Sequence, residues 1–144
     1  MRALDFYPLI TTPDLAATRD FYVRHFGAST AFEASWFVLL VIPGEEGGRP
    51  FALAFMSPDH PSSPPGPEPF DGKGMILTVQ VADAREAFAS LQASGAALHY
   101  PLTEEPWGQK RFMARDPAGV LIDVVEQIAP AAGFWERYPA RTHA

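Results

Sequence analysis

Apolar and polar positions near the start of the chain follow two successive periods. Residues 3–11 are dominated by aromatic and β-favouring side chains, and a period of two places Asp5, Tyr7 and Leu9 on one face of a predicted strand. Thr12-Pro13-Asp14 then reads as a helix start. Threonine can accept a bond from an unpaired amide, the fixed φ of proline suits the first helical position, and aspartate favours the positive end of the dipole. Leu15, Arg19, Tyr22 and Phe26 recur at three to four residues with Thr18 and Phe21 beside them, which predicts a helix packing one stripe on a sheet while Arg24 and His25 face water. Gly27 supplies the stop. Strand-like runs at 29–33, 36–42 and 51–56 are separated by Ala34-Ser35 and by the turn-rich segment 43–48, predicting an antiparallel meander.

Residues 57–73 hold six prolines and little periodicity, so they form a connector rather than a central strand or a helix interior. Beyond it the order of the first half returns. A strand is predicted at 75–81, and a helix is opened by Asp83 and Glu86 in the spacing of a capping box, buried along Phe88 and Leu91 and stopped at Gly95. Strands follow at 97–102, 109–115 and 120–126, the last two joined by the turn Asp116-Pro117-Ala118-Gly119. Four strands and a helix leave half of a sheet's apolar face open, and a second copy covers it. The predicted class is therefore α+β: two tandem βαβββ modules forming a curved eight-stranded mixed sheet, a cup with the helices on its convex face. Module one spans about 3–56, the connector 57–73 and module two about 74–128, all within a single domain of 1–128 followed by a tail of 129–144.

Composition narrows the possible chemistry. A chain of 144 residues with 47% hydrophobic content can bury one core. It contains no cysteine, which removes disulfides, thiolate zinc ligands and cysteine nucleophiles. The net charge of −6 is spread along the chain without a Lys/Arg cluster, so nucleic acid is not an expected partner. No apolar run reaches membrane-spanning length and the first residues lack the apolar stretch of a signal peptide, which implies a cytoplasmic protein without a membrane partner. Nucleophile-elbow, phosphate-loop and His-Glu-x-x-His motifs are missing from the sequence.

The element order, the strand-to-helix signature of 14–27, the segment Arg115-Asp116-Pro117-Ala118-Gly119-Val120-Leu121-Ile122-Asp123 and the run Glu105-Pro106-Trp107-Gly108-Gln109 before Phe112 together resemble the vicinal oxygen chelate superfamily. That group includes glyoxalase I, extradiol dioxygenases, fosfomycin-resistance enzymes and bleomycin-resistance binding proteins, and the resemblance covers about residues 3–128. In its metal-using members four strands supply the ligands, usually His and Glu. The corresponding positions here are Tyr7, Ala54, Met75 or Ile76, and Asp123. One carboxylate without an imidazole is a poor site for Fe, Mn, Ni or Zn, so the resemblance implies the fold without a divalent metal or any other cofactor. The four histidines are read as surface residues without a ligand role: His25 on the first helix, His60 in the connector, His99 on the sixth strand and His143 near the end.

Asp123 stands out because a carboxylate flanked by Leu121, Ile122, Val124 and Val125 is costly to bury unless it is paired or faces a wet site. It is read either as ion-paired with Arg111 or Arg115 on the neighbouring strand, or as facing a ligand, where it is also the one catalytic candidate. Tyr7, Trp36 and Trp107 are candidate stacking surfaces for a flat ligand. The ligand-binding set is thus Tyr7, Trp36, Met75, Trp107, Arg111 and Asp123. Together with the resemblance it points to a small-molecule-binding protein that sequesters an aromatic or amphipathic ligand, as bleomycin-resistance proteins do, and that forms a homodimer. The alternative is a superfamily enzyme, a lyase, isomerase or dioxygenase acting on a small oxygenated substrate. The aromatic residues at 133–138 either dock on the cup, meet a partner subunit or do neither.

Overall fold

A computed structural model describes residues 1–138; His143 and the rest of the tail from 139 onward lie outside the described residues. The chain runs β1 (Leu9–Thr11), α1 (Leu15–Phe26), β2 (Ser29–Ala34), β3 (Phe37–Ile42), β4 (Phe51–Met56), β5 (Ile76–Gln80), α2 (Ala84–Ala93), β6 (Leu98–Glu105), β7 (Gln109–Arg115) and β8 (Leu121–Gln127). This is the tandem βαβββ order, class α+β. The eight strands hydrogen-bond as two mixed sheets of four, in the orders β1-β4-β3-β2 and β5-β8-β7-β6. In each sheet the module's first strand lies parallel to its last, while the other neighbours are antiparallel.

The described chain divides into two compact units: residues 1–75 with 116–120, and residues 76–115 with 121–138. In the first, alternation along β3 and β4 turns Val38, Leu40 and Phe55 toward α1, where Tyr22 meets Phe55 at 5.5 Å between ring centroids; all four are essentially inaccessible. Full burial of a side chain this size contributes about 1.5–3 kcal/mol. The α1 stripe is narrower than the periodicity implied, since only Thr18, Phe21 and Tyr22 are buried, and His25 is half-buried with its ring 4.8 Å from that of Phe21 rather than facing water. Gly27 caps the helix in the left-handed region at φ 66°, and the next amide, that of Ala28, reaches back to the carbonyl of Tyr22.

Several local expectations are corrected. The first strand begins at Leu9, not at residue 3: Pro8 still accepts a bond from the Ala54 amide, but it has no N–H with which to continue the parallel ladder, and Leu4 and Phe6 are fully exposed. Tyr7 therefore precedes the strand and is 42% exposed. Trp36 lies in the Ser35–Trp36 turn rather than in β3. At the start of α1, Pro13 precedes the N-cap, Asp14, whose side chain makes no cap; Thr12 Oγ1 accepts from the Asp14 amide instead. At α2 the Asp83 carboxylate accepts from the Glu86 amide, one of the two bonds of a capping box, while the Ala84 amide is taken by Glu126 from β8. His60 is buried, not on the surface. Its Nδ1 accepts from the Ser62 amide and its Nε2 lies 2.6 Å from the Gly66 carbonyl, an arrangement that requires the Nε2–H tautomer and pins the connector to itself. The Phe70 amide ties the far end of the connector to the Thr11 carbonyl.

Candidate functional site

In the second unit, Phe112, Ala114, Ile122 and Val124 face α2, with Phe88 edge-on to Phe112 at 5.2 Å. By strand alternation the opposite face carries Thr78, Gln80, Glu105, Gln109, Arg111, Met113 and Asp123. Thr78, Asp123, Met113 and Tyr100 form one row across the four strands.

A cluster of charged and aromatic groups sits on this face. Arg111 Nε donates to Glu105 Oε2 at 2.8 Å, and Arg111 Nη1 lies 3.6 Å from Asp123 Oδ1. Tyr100 also donates to Glu105 Oε2, at 3.2 Å. The guanidinium carbon stands 5.0 Å from the ring centroid of Trp107 and 5.6 Å from that of Tyr100, so the cation lies against two aromatic rings while its edges face two carboxylates. Asp123 is 6% exposed. Its Oδ2 has only a long bond from Thr78, 3.5 Å, and its Oδ1 is a buried oxygen without a hydrogen-bond partner among the described residues. Burial pushes its carboxyl above the ordinary range, the Arg111 charge pulls it partly back, and Glu105 adds a smaller upward push. Chemically the cluster can accept a hydrogen bond at Asp123 or hold a proton there.

The cluster joins three of the six sequence-derived ligand-binding residues, Trp107, Arg111 and Asp123. The other three are in the first unit at separate places: Tyr7 before β1, Trp36 in the β2–β3 turn and Met75 at the end of the connector. Of the two ion-pair partners considered for Asp123, Arg111 is the one found. Glu105, Tyr100, Thr78 and Gln109 were missed. The signal for Glu105 was present: it pairs with Gln109 across a three-residue turn, which sets Glu105 and Arg111 diagonally on one face.

The raised carboxyl makes a pH prediction with a definite sign. An acid whose folded pKa lies above its unfolded value takes up a proton on folding, so its effect on stability is absent at low pH and becomes a cost as pH climbs through the ordinary carboxylate range to the folded value. Asp123→Asn removes that dependence. Relative to the parent, the variant should gain stability between about pH 3 and about pH 7, as read by urea denaturation at both ends. A difference that stays flat or moves the other way refutes the shift.

The architecture defines a class of α+β proteins built from paired βαβββ modules, each a mixed four-stranded sheet backed by one helix. More narrowly, the chain belongs to the glyoxalase/bleomycin resistance protein/dioxygenase superfamily, whose profile matches residues 4–124. A glyoxalase/bleomycin resistance protein/dioxygenase from Nocardioides is similar over 99% of this chain and 91% of its own, at 19% identity and a TM-score of 0.72. A superfamily member from Sphaerobacter thermophilus shares 24% identity over 88% of this chain and 98% of its own, with a TM-score of 0.64. TioX from Micromonospora is similar at 22% identity over 88% of this chain and 100% of its own, with a TM-score of 0.61. At these identities the likeness is one of fold. No protein of curated function matches the chain. Among the described residues no helix is long and apolar enough to cross a membrane.

Proposed function

We propose that this superfamily member binds and sequesters an aromatic or amphipathic small molecule and does not use the superfamily's metal. The observation that carries the reading is the setting of Asp123, the one carboxylate at the four positions where the resemblance places metal ligands: a guanidinium stands beside it where a cation would bind. The donor set does not fit a divalent ion, since Tyr7, Ala54 and Met75 or Ile76 offer at most a phenol, and among the described residues no three His, Cys, Asp or Glu side chains converge. Trp107, half-buried in a turn beside the cluster, supports an aromatic ligand. A homodimer in the cytoplasm belongs to the same proposal, and sedimentation at micromolar concentration tests the dimer.

Titrating the protein with planar antibiotics and aromatic metabolites should quench tryptophan emission for at least one compound. That compound, at about a hundredfold its Kd, should stabilise the fold by about 2.7 kcal/mol. A panel that produces neither quenching nor a thermal shift removes the binding reading. Stoichiometric Fe, Mn, Ni or Zn in protein purified without chelator removes the metal-free part and returns the enzyme alternative.

A further inference from the structure

The superfamily profile ends at residue 124, yet the segment after β8 is well anchored in the second unit. Three of its donors reach three consecutive carbonyls of the β6–β7 turn. The Ala131 amide bonds to Pro106, Trp135 Nε1 to Trp107 and the Ile128 amide to Gly108, at 2.9, 2.8 and 2.9 Å. The Phe134 ring lies 6.4 Å from that of Trp107 and is itself flanked by Trp135 at 5.1 Å and Tyr138 at 5.4 Å. Gly108 permits the approach: its φ is +109°, and a Cβ there would stand 2.9 Å from the Ile128 carbonyl oxygen.

Trp107 is thus held from every side that matters to the cluster. Its Nε1 donates to Gln109 at 2.8 Å, its carbonyl is clamped by Trp135, its ring abuts Phe134, and the guanidinium of Arg111 lies against it. The position of Arg111 in turn sets how far Asp123 Oδ1 is from a positive charge.

We infer that residues 128–138 are a strap that positions Trp107 on Arg111, and that Phe134 and Trp135 are specificity-determining residues of the ligand site. The inference rests on the binding reading for its consequence, but its geometry stands without a ligand. The Ile128 and Ala131 amides and an indole N–H fix the backbone of the β6–β7 turn, and the tilted contact with Phe134 fixes the Trp107 ring. The strap lies beyond the matched profile, so its hold on the turn is read from this chain's own contacts.

The test uses the full chain and reads the Arg111 Nε–H proton by NMR. Two neighbouring rings should shift that resonance, and its bond to Glu105 should slow its exchange. Phe134→Ala/Trp135→Ala and, separately, Gly108→Ala should move it toward its position in a free arginine and speed its exchange, while the α2 and β5 amides keep their shifts. Any compound that quenches the parent should bind these variants at least about tenfold more weakly, the equivalent of one turn of about 1.4 kcal/mol. Trp135→Phe, which removes the indole N–H but keeps a smaller aromatic ring beside Phe134, should give a smaller change in the same direction and guards against a variant that does not fold. An Arg111 resonance that stays in place in all three variants overturns the strap. A panel without any binder overturns the binding reading alone, since the Arg111 proton still reports on the strap.

Discussion

Replacing Asp116 by alanine is expected to cost roughly 3–4 kcal/mol of folding stability, because two buried donors lose their acceptor at once. Asp116 is 3% exposed and begins the turn after β7. Its Oδ2 accepts from the Tyr22 hydroxyl at 2.6 Å and its Oδ1 from the Val120 amide at 2.9 Å, while its own carbonyl takes the Gly119 amide. Tyr22 is 1% exposed, so its hydroxyl has no water to turn to. Burial and the neighbouring carboxylate together hold that phenol far from ionising, while burial pushes the Asp116 carboxyl up against the downward pull of the Tyr22 and backbone bonds. Asp116→Asn keeps an acceptor and should cost clearly less than alanine. Tyr22→Phe deletes one bond and keeps the ring packed, so it should fall between the two. Chemical denaturation of the three variants checks the order, and an alanine variant within about 1 kcal/mol of the parent would show that water enters and replaces both bonds.

The second large effect is expected at Arg111. Changing it to methionine preserves most of the stem but strands Glu105 and Asp123, whose side chains are 10% and 8% exposed. Removing one member of a buried ion pair costs about 3–5 kcal/mol, because the penalty is the charge left behind rather than the bond lost. The protein has one escape. Asp123 already sits above the ordinary range with Arg111 as the largest influence drawing it down, so the variant should push it further up and relieve part of the cost by keeping it protonated. Two measurements follow from this. The cost of Arg111→Met should shrink at low pH, and the double variant Arg111→Met/Asp123→Asn should recover a large share of the loss at neutral pH, a coupling that a double-mutant cycle reads directly. Additive single costs would mean that the 3.6 Å approach contributes nothing.

Legibility in the sequence followed the range of the interaction. Gly27 and Gly95 marked both helix ends, and β7 was bounded as it is found, because turn and cap chemistry is written within a few residues. The start of β1 was not legible. Its aromatic content suited a strand, but a strand needs a partner for every amide, and Pro8 ends the ladder. His60 shows the same limit from the other side: in a proline-rich connector it looked solvated, yet the loop folds back so that its own amide and carbonyl groups enclose the ring. For the site, a carboxylate in an apolar strand announced its need for a cation, and Arg111 was among those weighed. Glu105 was legible from the short β6–β7 turn, which pairs it with Gln109 and sets Thr103 opposite Arg111, whereas Tyr100 was hidden because two register shifts, between Leu98 and Tyr100 and between Tyr100 and Thr103, decide where it falls. The strap was hidden for a further reason, since nothing local tells an aromatic tail which carbonyls its donors will find.

The membership of residues 116–120 in the first compact unit bears on the order of events during synthesis. A chain leaving the ribosome completes β4 at residue 56, and the first sheet then has all four of its strands. The hydroxyl of Tyr22 nevertheless stays without its acceptor until Asp116 emerges, 94 residues later in the sequence. The first unit therefore reaches its full set of buried bonds only after most of the second half has been made, and a chain released before residue 116 should hold the Tyr22 hydroxyl unpaired in an otherwise complete sheet.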